Sequence, residues 1–221
     1  TTGSKGVPEK PEEITCCICN PTCYNYICNT TEKETKMNIR REWAMPDSNT
    51  FDIPPIKTLI KRYLDFSEVR KSGFSIDPFA NKNKLATITN DLNPEFDTDY
   101  HMDAIDFLKM FDDHQVQTVL FDPPYSPRQV SECYKAMDKT VNMQTTQSSF
   151  WADLKKELRR IVKPSGTVIT CGWNSGGIGE NHGFEIVEIL LVPHGGWHND
   201  TIVTVEKKAS QMEFNLKRKP K

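Results

Sequence analysis

The sequence predicts a doubly wound α/β domain, and three observations point to it. Short apolar runs recur through the middle of the chain, and each stops at an acidic residue: Asp77, Asp91, Asp103 and Asp122. Segments with helical spacing lie between and around these runs. The last two apolar runs, near 184–192 and 201–206, are joined by too little chain for a helix and so pair as an antiparallel hairpin. In an open parallel sheet, ligands bind beyond the carboxyl ends of the strands, so acids at those ends line one crevice.

The elements follow in order. Of the 7 cysteines, Cys16, Cys17, Cys19, Cys23 and Cys28 crowd the front of the chain. Cys16-x-x-Cys19 has the turn spacing that brings two sulfurs to one ion, and Cys23 and Cys28 complete a candidate set of zinc ligands. The second pair is spaced Cys-x4-Cys, so free or oxidised thiols remain the alternative. Pro8, Pro11 and Pro21 make this segment loop-like, and residues 30–49 read as a polar connector. A boundary near Pro46 separates a cysteine-rich segment, 1–46, from the main domain, 47–208.

After Pro55, apolar residues at 56, 59, 60, 63 and 64 give the stripe of an amphipathic helix. Phe74-Ser75-Ile76 and Leu85-Ala86-Thr87-Ile88-Thr89 read as strands, followed by a short segment before Asp103 and a helix over 103–111. Thr118-Val119-Leu120-Phe121 is the next strand. A long polar stretch after Tyr125, containing Arg128, suits a loop over the site. Phe150 to Val162 has helical spacing, and the turn Pro164-Ser165-Gly166 leads into the strand Thr167 to Cys171. With the hairpin this makes a seven-stranded, mostly parallel sheet closed by an antiparallel pair at its edge. His194, His198 and Asp200, in the hairpin connection, read as turn residues before metal ligands.

Charge and hydropathy limit the function. A net charge of −2 excludes a uniformly basic nucleic-acid coat. The charge is nonetheless polarised: residues 77–122 hold ten acidic and three basic residues, and the tail, 209–221, is basic. No apolar run reaches the roughly 20 residues that span a bilayer, and the first residues lack the apolar core of a signal peptide, so a cytoplasmic protein is expected.

The chemistry is carried by Asp122-Pro123-Pro124-Tyr125, set directly after an apolar strand. The lone pair of an exocyclic amine on a nucleobase is delocalised into the ring. Two acceptors aimed at its hydrogens favour the geometry in which that pair can attack. Asp122 offers one acceptor and the Pro123 carbonyl the other, and consecutive prolines stiffen the corner without adding donors. Tyr125 offers a flat face to a base drawn out of its duplex.

This motif resembles that of the N6-adenine DNA methyltransferases, Rossmann-like enzymes dependent on S-adenosylmethionine, and the small form resembles those of phages. The resemblance covers most of the chain from Phe51 onward. It implies that Phe51, Ile53 and Pro55 belong to a motif contacting the methionine end of the cofactor. It also implies that Asp77, Pro78 and Phe79 form the first cofactor motif. Asp91 then meets the ribose hydroxyls, and Asp103 the cofactor's adenine amino group. As plain alternatives, Asp91 is a turn acid and Asp103 a helix cap. Where the family commonly has glycines after Asp-Pro-Phe, this chain has Ala80-Asn81-Lys82-Asn83. Trp173 reads as a core residue before a wall of the base pocket. DNA is the expected partner. RNA adenine or cytosine N4 as target, or an inactive zinc-bearing binding module, are the alternatives.

Overall fold

The computed structural model of the chain describes residues 37–64, 73–126, 128–129 and 148–210. Seven strands form one sheet: β1 (Asn38–Arg41), β2 (Ser75–Asp77), β3 (Ile88–Thr89), β4 (Val116–Phe121), β5 (Val162–Gly172), β6 (Phe184–Val192) and β7 (Thr201–Lys208). Their order across the sheet is β1-β6-β7-β5-β4-β2-β3. Every pairing is parallel except those of β7 with β5 and with β6. This is the Rossmann-like α/β class expected from the sequence.

Helices cover both faces. α1 (Pro54–Leu64) buries Ile56, Leu59 and Ile60 against Leu120, Ile169, Leu190 and Val203. Each such side chain contributes on the order of 1.5–3 kcal/mol. On the other face α2 (Ala104–Lys109) and α3 (Ser148–Ile161) pack Phe107, Leu108, Leu154 and Leu158 against Ile76, Val119 and Val168. Arg160 ties α3 to the end of α2 by donating to the carbonyls of Phe111 at 2.7 Å and Leu108 at 3.3 Å.

Three expectations are corrected. The sheet begins at Asn38, ahead of the expected boundary at Pro46 and inside the supposed connector. β1 pairs with β6, so β1 forms the edge and the antiparallel pair lies inside the sheet. The run before Asp103 supplies no full strand, only a single bridge between Asn90 and Tyr100.

The cause of the first correction is Glu188 on β6. Its side chain is 3% exposed and accepts from Arg40 Nε at 2.9 Å, Arg62 at 2.6 Å and Tyr63 OH at 2.8 Å. Burial pushes this carboxyl up, but the hydrogen bonds from Arg62, Tyr63 and Arg40 outweigh it and leave the pKa below the ordinary value. β1 is therefore fastened by a buried ionic junction rather than by an apolar stripe. Pro164, Ser165 and Gly166, expected as a turn, fall within β5 where the register with β4 shifts, and Ser165 there is left-handed at φ 61°.

Candidate active site

Because β2, β3, β4 and β5 run in parallel, their carboxyl ends meet on one edge of the sheet, where a cavity of about 480 Å³ opens. Asp122, Pro123, Pro124 and Tyr125 form one wall. Phe79, Asn81, Asp91 and Asp103 also line the cavity. Thr50, Phe51 and Phe150 complete the lining used below.

At the corner, Tyr125 OH donates to Asp122 Oδ1. Burial raises the pKa of Asp122, and hydrogen bonds from Tyr125 and Thr50 offset part of that rise. Tyr125 is positioned from three directions. Its backbone N–H donates to Gln129 Oε1 at 2.6 Å, its hydroxyl is held by Asp122, and its ring meets Trp173 edge-on at 5.5 Å.

Asp77 ends β2 fully buried and does not line the cavity. Its Oδ1 accepts from Phe79 N–H at 3.0 Å, whereas Oδ2 has no hydrogen-bond partner. Burial raises its pKa well above the ordinary carboxylate value; the Phe79 N–H opposes this, and the charges of Asp122 and Asp91 add to it. Pro78 and Phe79 do line the cavity, and Phe79 packs edge-on against Phe121 at 5.8 Å.

Asn81 takes the left-handed conformation at φ 51°, which asparagine tolerates better than most residues, so the turn after Asp-Pro-Phe forms without glycine. Asp91 braces that turn, accepting from Asn81 N–H and Asn93 N–H, both at 2.9 Å. The Asn81 Oδ1 is buried at the cavity with no hydrogen-bond partner. Asp103 lines the cavity and also caps α2, its Oδ1 accepting from Ile105 N–H at 2.9 Å.

Of the three residues expected before the first cofactor motif, Phe51 alone reaches the cavity. Ile53 is buried in the core beneath α1, and Pro55 sits in the first turn of that helix. The short 3-10 turn Thr50–Asp52 separates them: it aims Phe51 inward at the cavity, and the next turn of chain is already core. Thr50, the first residue of the motif that holds Phe51, Ile53 and Pro55, bonds Asp122, a contact the sequence did not foretell. Trp173 is 43% exposed, contrary to the core reading: it follows the last residue of β5, where the chain leaves the sheet, and its ring meets Tyr125.

No protein-family model matches the sequence, and no curated protein is recognisably similar to it. Among solved structures, the chain is similar to TrmN from Thermus thermophilus, with a TM-score of 0.46 and 16% identity over 71% of this chain. The chain spans 49% of the length of TrmN. It is also similar to the 1,6-didemethyltoxoflavin-N1-methyltransferase of Burkholderia thailandensis, with a TM-score of 0.47 and 10% identity over 71% of this chain and 77% of that one.

The loop after Trp173 is clamped from below. Buried Glu206 on β7 accepts from Ile178 N–H at 2.7 Å and Gly179 N–H at 2.9 Å. Gly177 passes over this carboxylate at φ 49°, and a Cβ there would stand 2.3 Å from Glu206 Oε2. The loop bearing Trp173 is thus held by a buried acid rather than left free.

Among the described residues no group of three or more His, Cys, Asp or Glu is placed to hold a metal. His194 is buried, with Nδ1 2.9 Å from the Ala44 carbonyl and Nε2 2.8 Å from Thr201 Oγ1. The zinc ligand set of Cys16, Cys19, Cys23 and Cys28 and the basic tail from 211 lie outside the described residues. No described helix is long and apolar enough to cross a membrane.

Proposed function

We propose that the chain transfers a methyl group from S-adenosylmethionine to the N6 amine of adenine in DNA. One observation carries this reading: a single cavity joins the Asp122–Tyr125 corner to Phe79, Asp91 and Asp103. The amine-holding motif and the cavity-lining members of the expected cofactor set therefore share one cavity, which methyl transfer between two bound molecules requires.

The residues present fit the cofactor. The volume of about 480 Å³ lies within the roughly 300–1,000 Å³ typical of small-molecule sites. The charged residues of its lining, Asp91, Asp103 and Asp122, are all acidic, as suits a cationic sulfonium with a free amino group. Asn81 Oδ1, on a residue that lines the cavity, is a buried acceptor without a donor, and a bound ligand with N–H and O–H groups relieves such an atom. When bound, S-adenosylmethionine supplies an already activated methyl.

The chain's own residues do the rest. Asp91 and Asp103, both on the cavity wall, would accept from ribose hydroxyls and from an adenine amino group respectively. Asp122 and the Pro123 carbonyl orient the target amine. Asp122, its pKa raised by burial, is placed to take the proton that the methylated amine sheds.

The test is mass spectrometry of nucleosides from DNA and RNA incubated with the full chain and S-adenosylmethionine. N6-methyladenine in DNA, absent with Asp122→Ala, is expected. N4-methylcytosine without N6-methyladenine, or modification of RNA alone, refutes the target assignment.

A further inference from the structure

All strands but β7 run the same way, so the segments leaving β1, β4, β5 and β6 emerge on the edge that holds the cavity. Each bears an aromatic residue. Tyr125 follows β4, Trp173 follows β5, Trp197 lies in the β6–β7 connection and Trp43 follows β1. Trp173, Trp43 and Trp197 are 43%, 63% and 103% exposed; Trp197 gives the core nothing and the other two leave much of their indole surface to solvent. Neighbouring strands lie about 4.8 Å apart, which makes the row from β4 across β5, β7 and β6 to β1 roughly 19 Å long.

The two outer tryptophans stand on a braced mount. Ala44 N–H donates to the Pro193 carbonyl at 3.3 Å, extending the β1–β6 ladder past Arg41. Ala44 faces the core, so Trp43 next to it faces out. Buried His194 bridges Ala44 to Thr201, and its own N–H donates to Asp200 Oδ1 at 3.3 Å. Gly195 and Gly196, at φ 73° and 62°, make the turn that presents Trp197 to solvent. The Trp43 Nε1 lies 3.6 Å from the point a Cβ on Gly195 would occupy, so the indole rests against that turn.

We infer that this row is a stacking track for single-stranded nucleic acid, running from the amine-binding corner to the far edge of the sheet. The inference rests on the transferase reading, since it starts from the Tyr125 corner. Flat side chains on rigid loops suit bases of any identity, because every base offers a π face. The residues that follow Trp173 and Trp197 in the chain are Asn174, Ser175, His198 and Asn199, polar groups able to hydrogen-bond a base edge or backbone, while Ile39 and Met45 are exposed near Trp43 in the chain. The track gives the strand next to the target base a place to lie once that base has left its stack.

The experiment measures binding of a fluorescein-labelled, adenine-containing single strand and of its duplex to the full chain by anisotropy. Wild type is compared with Trp197→Ala, Trp43→Ala and Trp197→Phe, with S-adenosylhomocysteine affinity as the check on folding. Each alanine variant is expected to bind the single strand about 5- to 100-fold more weakly, and Trp197→Phe to recover most of the loss. Equal single-strand binding by wild type and both alanine variants overturns the track. So does tighter duplex binding that is indifferent to both tryptophans, or a wild-type dimer in light scattering that either alanine variant dissolves. Strand binding that needs the tryptophans without any methyl transfer refutes the transferase reading and leaves the track. Adenine methylation indifferent to them refutes the track alone.

Discussion

Replacing Asp122 by Asn should abolish most activity while leaving the fold at least as stable. The carboxyl accepts from the hydroxyls of Tyr125 and Thr50, and on the proposed reading it must also accept from the target amine. An asparagine of the same size has one oxygen. Once that oxygen meets the two hydroxyls, its NH2 faces the hydrogens of the amine and repels them. Loss of a charge-assisted acceptor costs about 1.5–3 kcal/mol, and the misplaced donor adds to it, so kcat should fall on the order of 10²–10³-fold. Stability moves the other way. The folded carboxyl titrates above its ordinary value of 3.8 because of burial, so ionised Asp122 costs stability at neutral pH. That cost disappears as the pH falls through the folded pKa toward 3.8. Asp122→Asn should therefore melt at or above the wild-type temperature at neutral pH, and the two should converge in acid. The wild-type acid limb of kcat/KM should lie above the ordinary carboxylate value for the same reason. The assay is N6-methyladenine formation on an adenine-containing oligonucleotide, paired with calorimetric melting. Wild-type turnover by the variant refutes the reasoning, as does a turnover loss accompanied by a lower melting temperature.

Three further outcomes are expected. Glu188→Gln removes the charged acceptor shared by Arg40, Arg62 and Tyr63; with both arginines partly solvated the loss should be about 2–3 kcal/mol in a urea melt. Its folded pKa is lowered, so this wild-type advantage is present above 4.5 and fades as the pH falls through the folded value. Gly177→Ala forces a Cβ into Glu206 at a left-handed position and should cost about 2–3 kcal/mol; an unchanged urea midpoint would show that the loop is not clamped. In the same variant KM for DNA should rise more than kcat falls, because the displaced loop carries Trp173 away from Tyr125 while Asp122 stays in place.

The parts of this molecule that bury apolar faces were legible in the sequence. Ile56, Leu59 and Ile60 announce α1 by their spacing because that face alone meets the sheet. Asp122, directly after β4, lines the cavity because strand ends are where a parallel sheet exposes ligand-binding ground, whereas Asp77 at the end of β2 is buried and does not line it. β1 was not legible: Asn38-Ile39-Arg40-Arg41 has no apolar alternation, and what holds it is Glu188, far away in the chain. The run before Asp103 shrinks to one bridge because a side chain replaces the ladder. Asp99 Oδ2 accepts the Thr89 N–H at 2.8 Å, a bond that a neighbouring strand would otherwise supply. Sequence pattern also records the Tyr125 ring but not the direction of its hydroxyl. Likewise it marks Ile53 and Pro55 as part of a motif without showing that a 3-10 turn hides them from the cavity.

On the proposed reading, the bond from the Tyr125 hydroxyl to Asp122 Oδ1 bears on which bases the corner admits. With the tyrosine donating on one side, what the carboxyl still offers an entrant is acceptor capacity alone. Adenine and cytosine would arrive with an amino group that meets it. Thymine would present a carbonyl at the equivalent position, leaving oxygen facing oxygen. Rejection of thymine would thus precede chemistry and need no clash in the pocket: the seat beside the tyrosine is one that only a donor can take.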